Sequence, residues 1–299
     1  MNALHIKQLA KRDGLDILDN TLHLNDSGVD FLVGHAEDVN GENWILRIPR
    51  RQQSMRNATK EKIALDILNK YASFEAPYWS IFSDDIIAYK TLSGVPAATI
   101  DLEKQGYVWS FDETNVPNEY YHSLGKVLAE LHSLPQQEFE NIGIEKLAEK
   151  NLKESMKQRM NRVKEEYTIN PKLWDRWQAW LDEDSLWPNH IGIKHGDLHP
   201  GHILVNKNNH VTGIIDWTEI GIGDVSVDFL SHLLLFGKDG LTKLINAYEN
   251  AGGNTWPGMA KHIEELLTAS AITVAEYADA SGLEEMRETA KLMLANESG

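Results

Sequence analysis

The stretch His195–His202 reads HGDLHPGH, and the run GIIDWTE follows it at residues 213–219. Asp197 lies in a tight-turn sequence inside the first segment, and His202 comes five residues later. Asp216 directly follows the apolar strand of the second segment, 19 residues after Asp197. This order of an aspartate, a metal-ligand candidate and a second aspartate at a strand end indicates the fold of the whole chain.

The spacing is typical of a phosphoryl-transfer site, where the protein supplies positioning and charge neutralisation rather than covalent chemistry. We assign Asp197 as the catalytic base that orients a substrate hydroxyl and accepts its proton. Asp216 and His202 are the expected metal ligands, with Mg²⁺ as the expected ion. His202 stands where kinase-like loops place asparagine, and imidazole suits Mn²⁺ better than Mg²⁺. A histidine that only supports the loop is the alternative.

Composition predicts a globular protein without disulfides. The chain has 299 residues, of which 42% are apolar and 25% charged, so it can bury a large core, and two lobes are expected. It has no cysteine, and its first sixteen residues lack the apolar centre of a signal peptide. No stretch approaches the ~20 apolar residues that span a bilayer. We therefore expect a cytoplasmic protein that is neither secreted nor inserted into a membrane.

The net charge of −16 argues against a nucleic-acid partner, because a phosphate backbone attracts clustered Lys and Arg. Residues 1–93 hold 13 acidic and 11 basic side chains, which leaves 32 acidic and 18 basic for residues 94–299. The acidic surplus is consistent with a cleft for a cationic small molecule and equally with ordinary surface charge. Both interpretations stay open.

Hydrophobic periodicity predicts two regions of different structure, residues 1–92 and 93–299. In the first, apolar runs predict five strands and one helix: Thr21–Leu24, Val29–Ala36, Trp44–Ile48, Trp79–Phe82, Ile86–Lys90 and the helix Asn57–Tyr71. In the second, helical stripes include 144–167, 171–184, 225–236, 240–251, 257–280 and 283–295, with a hairpin formed by 203–205 and 211–215. The expected fold is α+β and bilobal, like protein kinases, with a small nucleotide-binding sheet lobe and a larger, mainly helical catalytic lobe.

Kinase folds pair a cation on the third strand with a glutamate on the following helix. Here the strand offers Arg47 in place of lysine, and the helix offers Glu61. Arginine still binds phosphate, and does so bidentately. Arg50 and Arg51 are the other candidates for this phosphate-binding cation. The alternative interpretation is that all three arginines form a basic cluster on the surface at the strand end. The turn around Ser27, which we assign to nucleotide binding, has a single glycine and does not match a glycine-rich phosphate loop.

Five segments carry a family resemblance: HGDLHPGH, IIDWTE, GDVSVDF (223–229), WILRIPRR (44–51) and LGKVLAELHSL (124–134). With them, the chain resembles the aminoglycoside phosphotransferase and choline kinase superfamily. His202, RIPRR, DVSVDF and the AYENAGG segment (247–253) make it most similar to the macrolide 2′-phosphotransferases within that superfamily. The resemblance covers nearly the entire chain.

The resemblance implies a role for each matching residue. Asp197 would be the base, His202 and Asp216 the metal ligands, and Arg47, paired with Glu61, the phosphate contact. Tyr89 to Leu92 would border the nucleotide base. The implied donor is GTP, with ATP possible, together with Mg²⁺. Asp224 and Asp228 are expected to support the loop, because aspartate favours helix N-termini.

The resemblance also implies the acceptor, the 2′-hydroxyl of the amino sugar of a macrolide antibiotic, and hence antibiotic resistance. A site for such a molecule combines carboxylates with an apolar wall, and Trp109, Glu276 and Tyr277 are the candidates. Met156 and Met160 are further wall candidates for which core packing is favoured. A monomer is expected, because no long apolar stripe lacks an intrachain use.

Two alternatives use the same residues. The first is a kinase for an aminoglycoside, a choline-like amine or a sugar. The second is a pseudokinase-like binding protein, suggested by Arg47 and His202 at positions where lysine and asparagine are usual.

Overall fold

The structure, a computed structural model, describes residues 3–26, 30–101 and 106–297. Its helices are α1 (Ala3–Arg12), α2 (Gln52–Tyr71), α3 (Asn118–His132), α4 (Gln136–Asn141), α5 (Glu149–Glu166), α6 (Pro171–Asp182), α7 (Leu230–Asn250), α8 (Met259–Thr268), α9 (Ser270–Ser281) and α10 (Glu284–Ala295). Its strands are β1 (His23–Asn25), β2 (Phe31–Glu37), β3 (Asn43–Pro49), β4 (Ile81–Phe82), β5 (Ile87–Lys90), β6 (Val95–Pro96), β7 (Ala98–Asp101), β8 (Gly106–Trp109), β9 (Gly192–Lys194), β10 (Ile203–Val205), β11 (Val211–Ile214) and β12 (Gly221–Gly223). Mixed helix and sheet confirm the predicted α+β class.

By packing, the chain divides into two units. The first contains residues 1–113, 141–143 and 201–220, and the second contains 114–140, 144–200 and 221–299. The division does not follow the lobe boundary at residues 92/93, which stays a prediction of the sequence. The β10–β11 hairpin thus belongs to the first unit, although it lies late in the chain.

An antiparallel sheet of five strands organises the first unit, in the order β1-β2-β3-β5-β4. Its register pairs Leu32 with Ile48 and Leu46 with Ala88, so alternate residues of neighbouring strands lie together in the core. The five strands match the five predicted runs to within a few residues. The hydrophobic alternation therefore sufficed to locate this sheet.

The first unit has more elements than the sequence analysis predicted. Helix α1 buries Ile6, Leu9 and Ala10 in the core of the five-stranded sheet, so the prediction of one helix in this region was wrong. Strand β6 pairs with β10, with Pro96 opposite Leu204, and β7 pairs with β8. The chain just after the predicted boundary at residues 92/93 is therefore partly strand, because its backbone hydrogen-bonds to the hairpin.

The second unit is built around tryptophans and aliphatic side chains. Trp177 and Trp180 of α6 are buried with Met160 of α5 and Ile272 of α9. These two tryptophans therefore pack the core of the unit. The predicted helix 257–280 is two helices that meet at Ala269, and α7 is kinked at Gly237, whose φ is +63°.

Helices α3 and α7 of this unit approach each other at Gly125. A Cβ on Gly125 would lie 2.6 Å from the carbonyl carbon of Ala247, closer than real Cβ contacts. The absence of a side chain therefore allows the two helices to approach closely. Among the residues that the structure describes, no helix combines the length and apolarity needed to cross a membrane.

Candidate active site

A pocket of about 800 Å³ opens in the first unit, and all of its lining residues belong to that unit. Its apolar walls come from the five-stranded sheet and the hairpin, and include Val33, Ile45, Leu204 and Ile215. Five of the predicted site residues also line it: Arg47, Glu61, Tyr89, Leu92 and Asp216. Its volume lies in the range that binds small ligands and cofactors.

The predicted ion pair between Arg47 and Glu61 is present in this pocket. Arg47 Nη1 donates to Glu61 Oε1 at 3.1 Å, and the two side chains are 14% and 3% exposed. Burial raises the pKa of the Glu61 carboxyl, and the charge of Arg47 offsets only part of that effect. The charge of Glu61 in turn supports a raised pKa for Arg47 against the cost of its burial. The pair places one fixed cation at the pocket wall.

Two aromatic rings contact the Arg47 guanidinium. Its central carbon lies 4.4 Å from the ring centroid of Phe31 and 5.1 Å from that of Trp79. Such cation–π contacts strengthen when the cation is desolvated. Arginine's planar head can use both faces in this way, whereas the compact ammonium of lysine cannot stack. Phe31 and Trp79 were not among the site residues predicted from the sequence.

Asp216 follows β11 in a left-handed backbone conformation, with φ of +63°. This conformation is uncommon outside glycine and clusters at functional sites. Thr218 Oγ1 donates to Asp216 Oδ1 at 2.8 Å, and His202 Nε2 lies 3.7 Å from Asp216 Oδ2. Carboxylate oxygen with imidazole nitrogen fits a divalent cation, with oxygen favouring Mg²⁺ and nitrogen favouring Mn²⁺.

Tyr89 and Leu92 lie on the pocket wall at and just beyond the end of β5. Tyr89 is 9% exposed, and burial raises its pKa to about 12, so the phenol is neutral at ordinary pH. A neutral aromatic ring suits a wall against a nucleotide base. Ser27, the remaining predicted nucleotide contact, lies outside the described residues.

The loop that carries Asp197 belongs to the second unit. Asp228 holds its backbone: Oδ2 accepts from the N–H of His195 and Oδ1 from the N–H of Gly196, each at 2.8 Å. His195 Nδ1 then accepts from the N–H of Asp197 at 3.3 Å, as expected of a histidine that bonds the turn. The Asp197 side chain itself is exposed. Asp197 thus presents an exposed side chain from a backbone that Asp228 holds in place.

The two supporting aspartates have different roles. Asp224 accepts from the N–H of Ser226 at 2.9 Å and caps a short 3₁₀ turn, as predicted. Asp228 does not cap that turn, because its oxygens are used by the loop amides. Burial opposes its ionisation, but the hydrogen bond from His132 and those amides outweigh it, and its pKa is lowered.

The predicted acceptor contacts lie apart in the chain and fall in both units. Trp109, on β8 of the first unit, has its ring centroid 5.3 Å from that of Phe111. On α9 of the second unit, Tyr277 is 53% exposed, whereas Glu276 is held by the Nε and Nη2 atoms of Arg159 at 2.7 to 3.0 Å. The charge of Glu276 is therefore already compensated. These three assignments stay predictions.

Met156 and Met160 are buried, with exposures of 9% and 0%, in the core of the second unit. The core interpretation favoured from the sequence is therefore correct for both residues.

The fold and these arrangements of charged side chains are those of a phosphotransferase of the kinase class. The chain belongs to the phosphotransferase enzyme family, whose family model matches residues 21–262. It is 37% identical over 270 residues to the uncharacterised protein YcbJ of Bacillus subtilis (strain 168), a match that covers 90% of this chain and 88% of that protein.

Solved structures give the same result. The apoenzyme of macrolide 2′-phosphotransferase MphH from Brachybacterium faecium is 33% identical, with a TM-score of 0.91 and coverage of 97% of this chain and 96% of that one. A type I macrolide 2′-phosphotransferase is also 33% identical, with a TM-score of 0.88 and coverage of 99% and 98%. APH(2″)-IIia in complex with GDP and kanamycin is 18% identical with a TM-score of 0.74, over 98% of each chain, and supports the fold alone. The predicted kinase-like fold and the family resemblance are confirmed.

Proposed function

We propose that this enzyme transfers the γ-phosphate of GTP to the 2′-hydroxyl of the amino sugar of macrolide antibiotics and thereby confers resistance. The observation that carries the proposal is the similarity to two macrolide 2′-phosphotransferases, at 33% identity over nearly the whole chain. Three solved aminoglycoside phosphotransferases are 18 to 20% identical to it. Their lower identity makes aminoglycosides the second choice of acceptor.

The pocket of the first unit supports a purine nucleotide as donor. Its apolar walls suit a base, and the Arg47 guanidinium supplies a fixed positive charge for phosphate oxygens. ATP would find the same general environment, so the preference for GTP rests on the resemblance and is a matter for measurement.

Asp216 would hold the divalent cation, with His202 as its neighbour. When bound, the cation would neutralise charge on the phosphates. The left-handed backbone of Asp216 and the bond from Thr218 restrict the carboxylate to few orientations. The Asp216 side chain is 44% exposed, so it has an open face for a ligand.

Asp197 would accept the proton of the macrolide hydroxyl. Its side chain is exposed, so a substrate hydroxyl can reach it. The backbone that carries it is fixed by Asp228, which keeps the carboxylate in a constant position.

A panel of acceptors with γ-labelled GTP and γ-labelled ATP tests the proposal. We expect label transfer to a macrolide from GTP in the presence of Mg²⁺, and none to a macrolide that lacks the 2′-hydroxyl. Transfer to an aminoglycoside, a choline-like amine or a sugar, with none to any macrolide, would establish the alternative acceptor class. Growth of a sensitive host that expresses the protein, on plates with macrolide, tests the resistance role.

A further inference from the structure

The second unit contains an extended network of hydrogen bonds that ends at the loop of Asp197. Tyr248 Oη on α7 lies 3.0 Å from His132 Nδ1 on α3, and His132 Nε2 lies 3.2 Å from Asp228 Oδ2. Asp228 in turn accepts from the N–H groups of the loop. Tyr248 is 1% exposed, His132 7% and Asp228 2%. The network is therefore shielded from water, and hydrogen bonds are stronger in such a buried environment than in solvent.

The direction of each bond follows from Asp228. Because it accepts two backbone N–H groups, its carboxylate is ionised and can only accept. His132 must then donate from Nε2, and a neutral imidazole that donates from Nε2 must accept at Nδ1. The hydroxyl of Tyr248 is the group that faces Nδ1, so it donates.

The AYENAGG segment explains how Tyr248 is held. A Cβ on Gly253 would lie 2.4 Å from the Tyr248 ring, so only glycine leaves room for the ring at this turn. Phe229 also packs against the Tyr248 ring edge to face, with ring centroids 5.3 Å apart and planes at 83°. The ring is therefore fixed by packing, and its hydroxyl is directed at His132.

We infer that Tyr248 and His132 are positioning residues of the phosphoryl transfer: Asp228 sets the Nε2–H tautomer of His132, and the Tyr248 hydroxyl holds the His132 ring by donating to Nδ1, so that Nε2 stays bonded to Asp228 beside the loop of Asp197. The inference rests on the proposed role of Asp197 as base. Loss of the hydroxyl would leave Nδ1 without its donor and let the His132 ring turn, which would weaken its bond to Asp228. The loop would then lose its fixed geometry, and a small displacement of a catalytic group is costly.

The variant Tyr248→Phe tests the inference, because it keeps the packed ring and removes only the hydroxyl. In the phosphorylation assay we expect kcat to fall roughly tenfold with KM for both substrates unchanged. Ring ¹⁵N spectra, with the His132 signals assigned by their loss in His132→Gln, should give the neutral Nε2–H tautomer in the wild type. In Tyr248→Phe the same tautomer should remain, with the Nδ1 signal shifted to that of a ring nitrogen that accepts no hydrogen bond.

Two further variants complete the test. His132→Gln keeps a side-chain N–H that can donate to Asp228, so it should retain more of kcat than His132→Leu. Tyr167→Phe is the matched control, because Tyr167 Oη donates to Asp279 at 2.8 Å in the same unit but outside the network. It should lower the unfolding midpoint about as much as Tyr248→Phe does and leave kcat unchanged.

Unchanged kcat in Tyr248→Phe, or a His132 that is protonated on both nitrogens at neutral pH, would overturn the inference. If the wild-type enzyme phosphorylates no macrolide, the proposed function fails, and the ¹⁵N spectra of wild type and Tyr248→Phe alone decide the inference.

Discussion

Arg47 forms its hydrogen bond with only one of the two carboxylate oxygens of Glu61. The guanidinium donates to Oε1 at 3.1 Å, whereas the buried Oε2 has no hydrogen-bond partner among the described residues. A desolvated oxygen at the wall of the pocket is costly unless the neighbouring cation compensates it. Removing either side chain would therefore leave the other one buried without compensation of its charge.

Glu61→Gln should weaken the pair without changing its shape. Removing one charge from a buried pair leaves the other uncompensated, so we expect the free energy of unfolding to fall by about 3 kcal/mol in urea titrations. Nucleotide KM should rise roughly tenfold, because Arg47 is no longer fixed. The control is Asp66→Asn on the same helix, which removes an exposed pair with Lys62 and should cost about 0.5 kcal/mol or less. Equal losses in the two variants would contradict the role of the buried pair.

Asp197→Asn should abolish turnover while leaving the fold intact. The side chain is exposed, so the unfolding midpoint should not change. We expect kcat to fall by ~10³-fold or more, since proton acceptance and positioning are lost together. Asp239→Asn, at an exposed position of α7, is the matched control and should behave as wild type. Near-normal turnover of Asp197→Asn would remove this residue from its assigned role.

His202→Asn should change the metal preference rather than remove activity. The substitution replaces imidazole nitrogen with an amide oxygen next to Asp216, and oxygen favours Mg²⁺ over Mn²⁺. The ratio of kcat/KM with Mg²⁺ to kcat/KM with Mn²⁺ should therefore rise in the variant. An unchanged ratio would mean that His202 only supports the loop.

His232 should make the protein less stable in mild acid. Its ring is 6% exposed between Tyr120, Tyr121 and Phe236, and burial lowers its pKa from 6.5 to about 4. The unfolded chain therefore takes up this proton first as the pH falls, so stability is complete above pH ~6.5 and is lost towards pH ~4. The loss from this group should reach ~3 kcal/mol.

Urea titrations at several pH values check this effect. His232→Phe, which cannot be protonated, should show a decline between pH 7 and 4.5 that is smaller by about 2 kcal/mol. His122→Gln, at an exposed position of α3, is the control for loss of a histidine. Identical pH dependence in wild type and His232→Phe would show that another group titrates.

The parts of the site that were predictable from sequence depend on local patterns. Strand alternation and helical spacing located β3 and α2, and these two elements bring Arg47 to Glu61. Asp197 and Asp216 were assigned because each lies in a short characteristic motif. Helix α1 was predictable as well, because Ile6, Leu9 and Ala10 have helical spacing. Its sequence was considered only as a possible signal peptide.

The unpredicted contacts join residues that are distant in sequence. His132 and Asp228 are 96 residues apart, and no periodicity along the chain pairs them. Phe31 and Trp79 reach Arg47 from two other segments, and as single aromatic residues they are indistinguishable from core. Asp228 was recognised as a support, but only the folded chain shows that it binds loop amides rather than a helix end.

Because every lining residue of the 800 Å³ pocket comes from the first unit, an evolving lineage can vary much of the second unit without rebuilding the pocket walls. Substitutions in α9, which carries the predicted acceptor contacts Glu276 and Tyr277, leave those walls unchanged. Exchange of α9 between family members is therefore an experiment that alters part of the predicted acceptor surface and keeps the pocket.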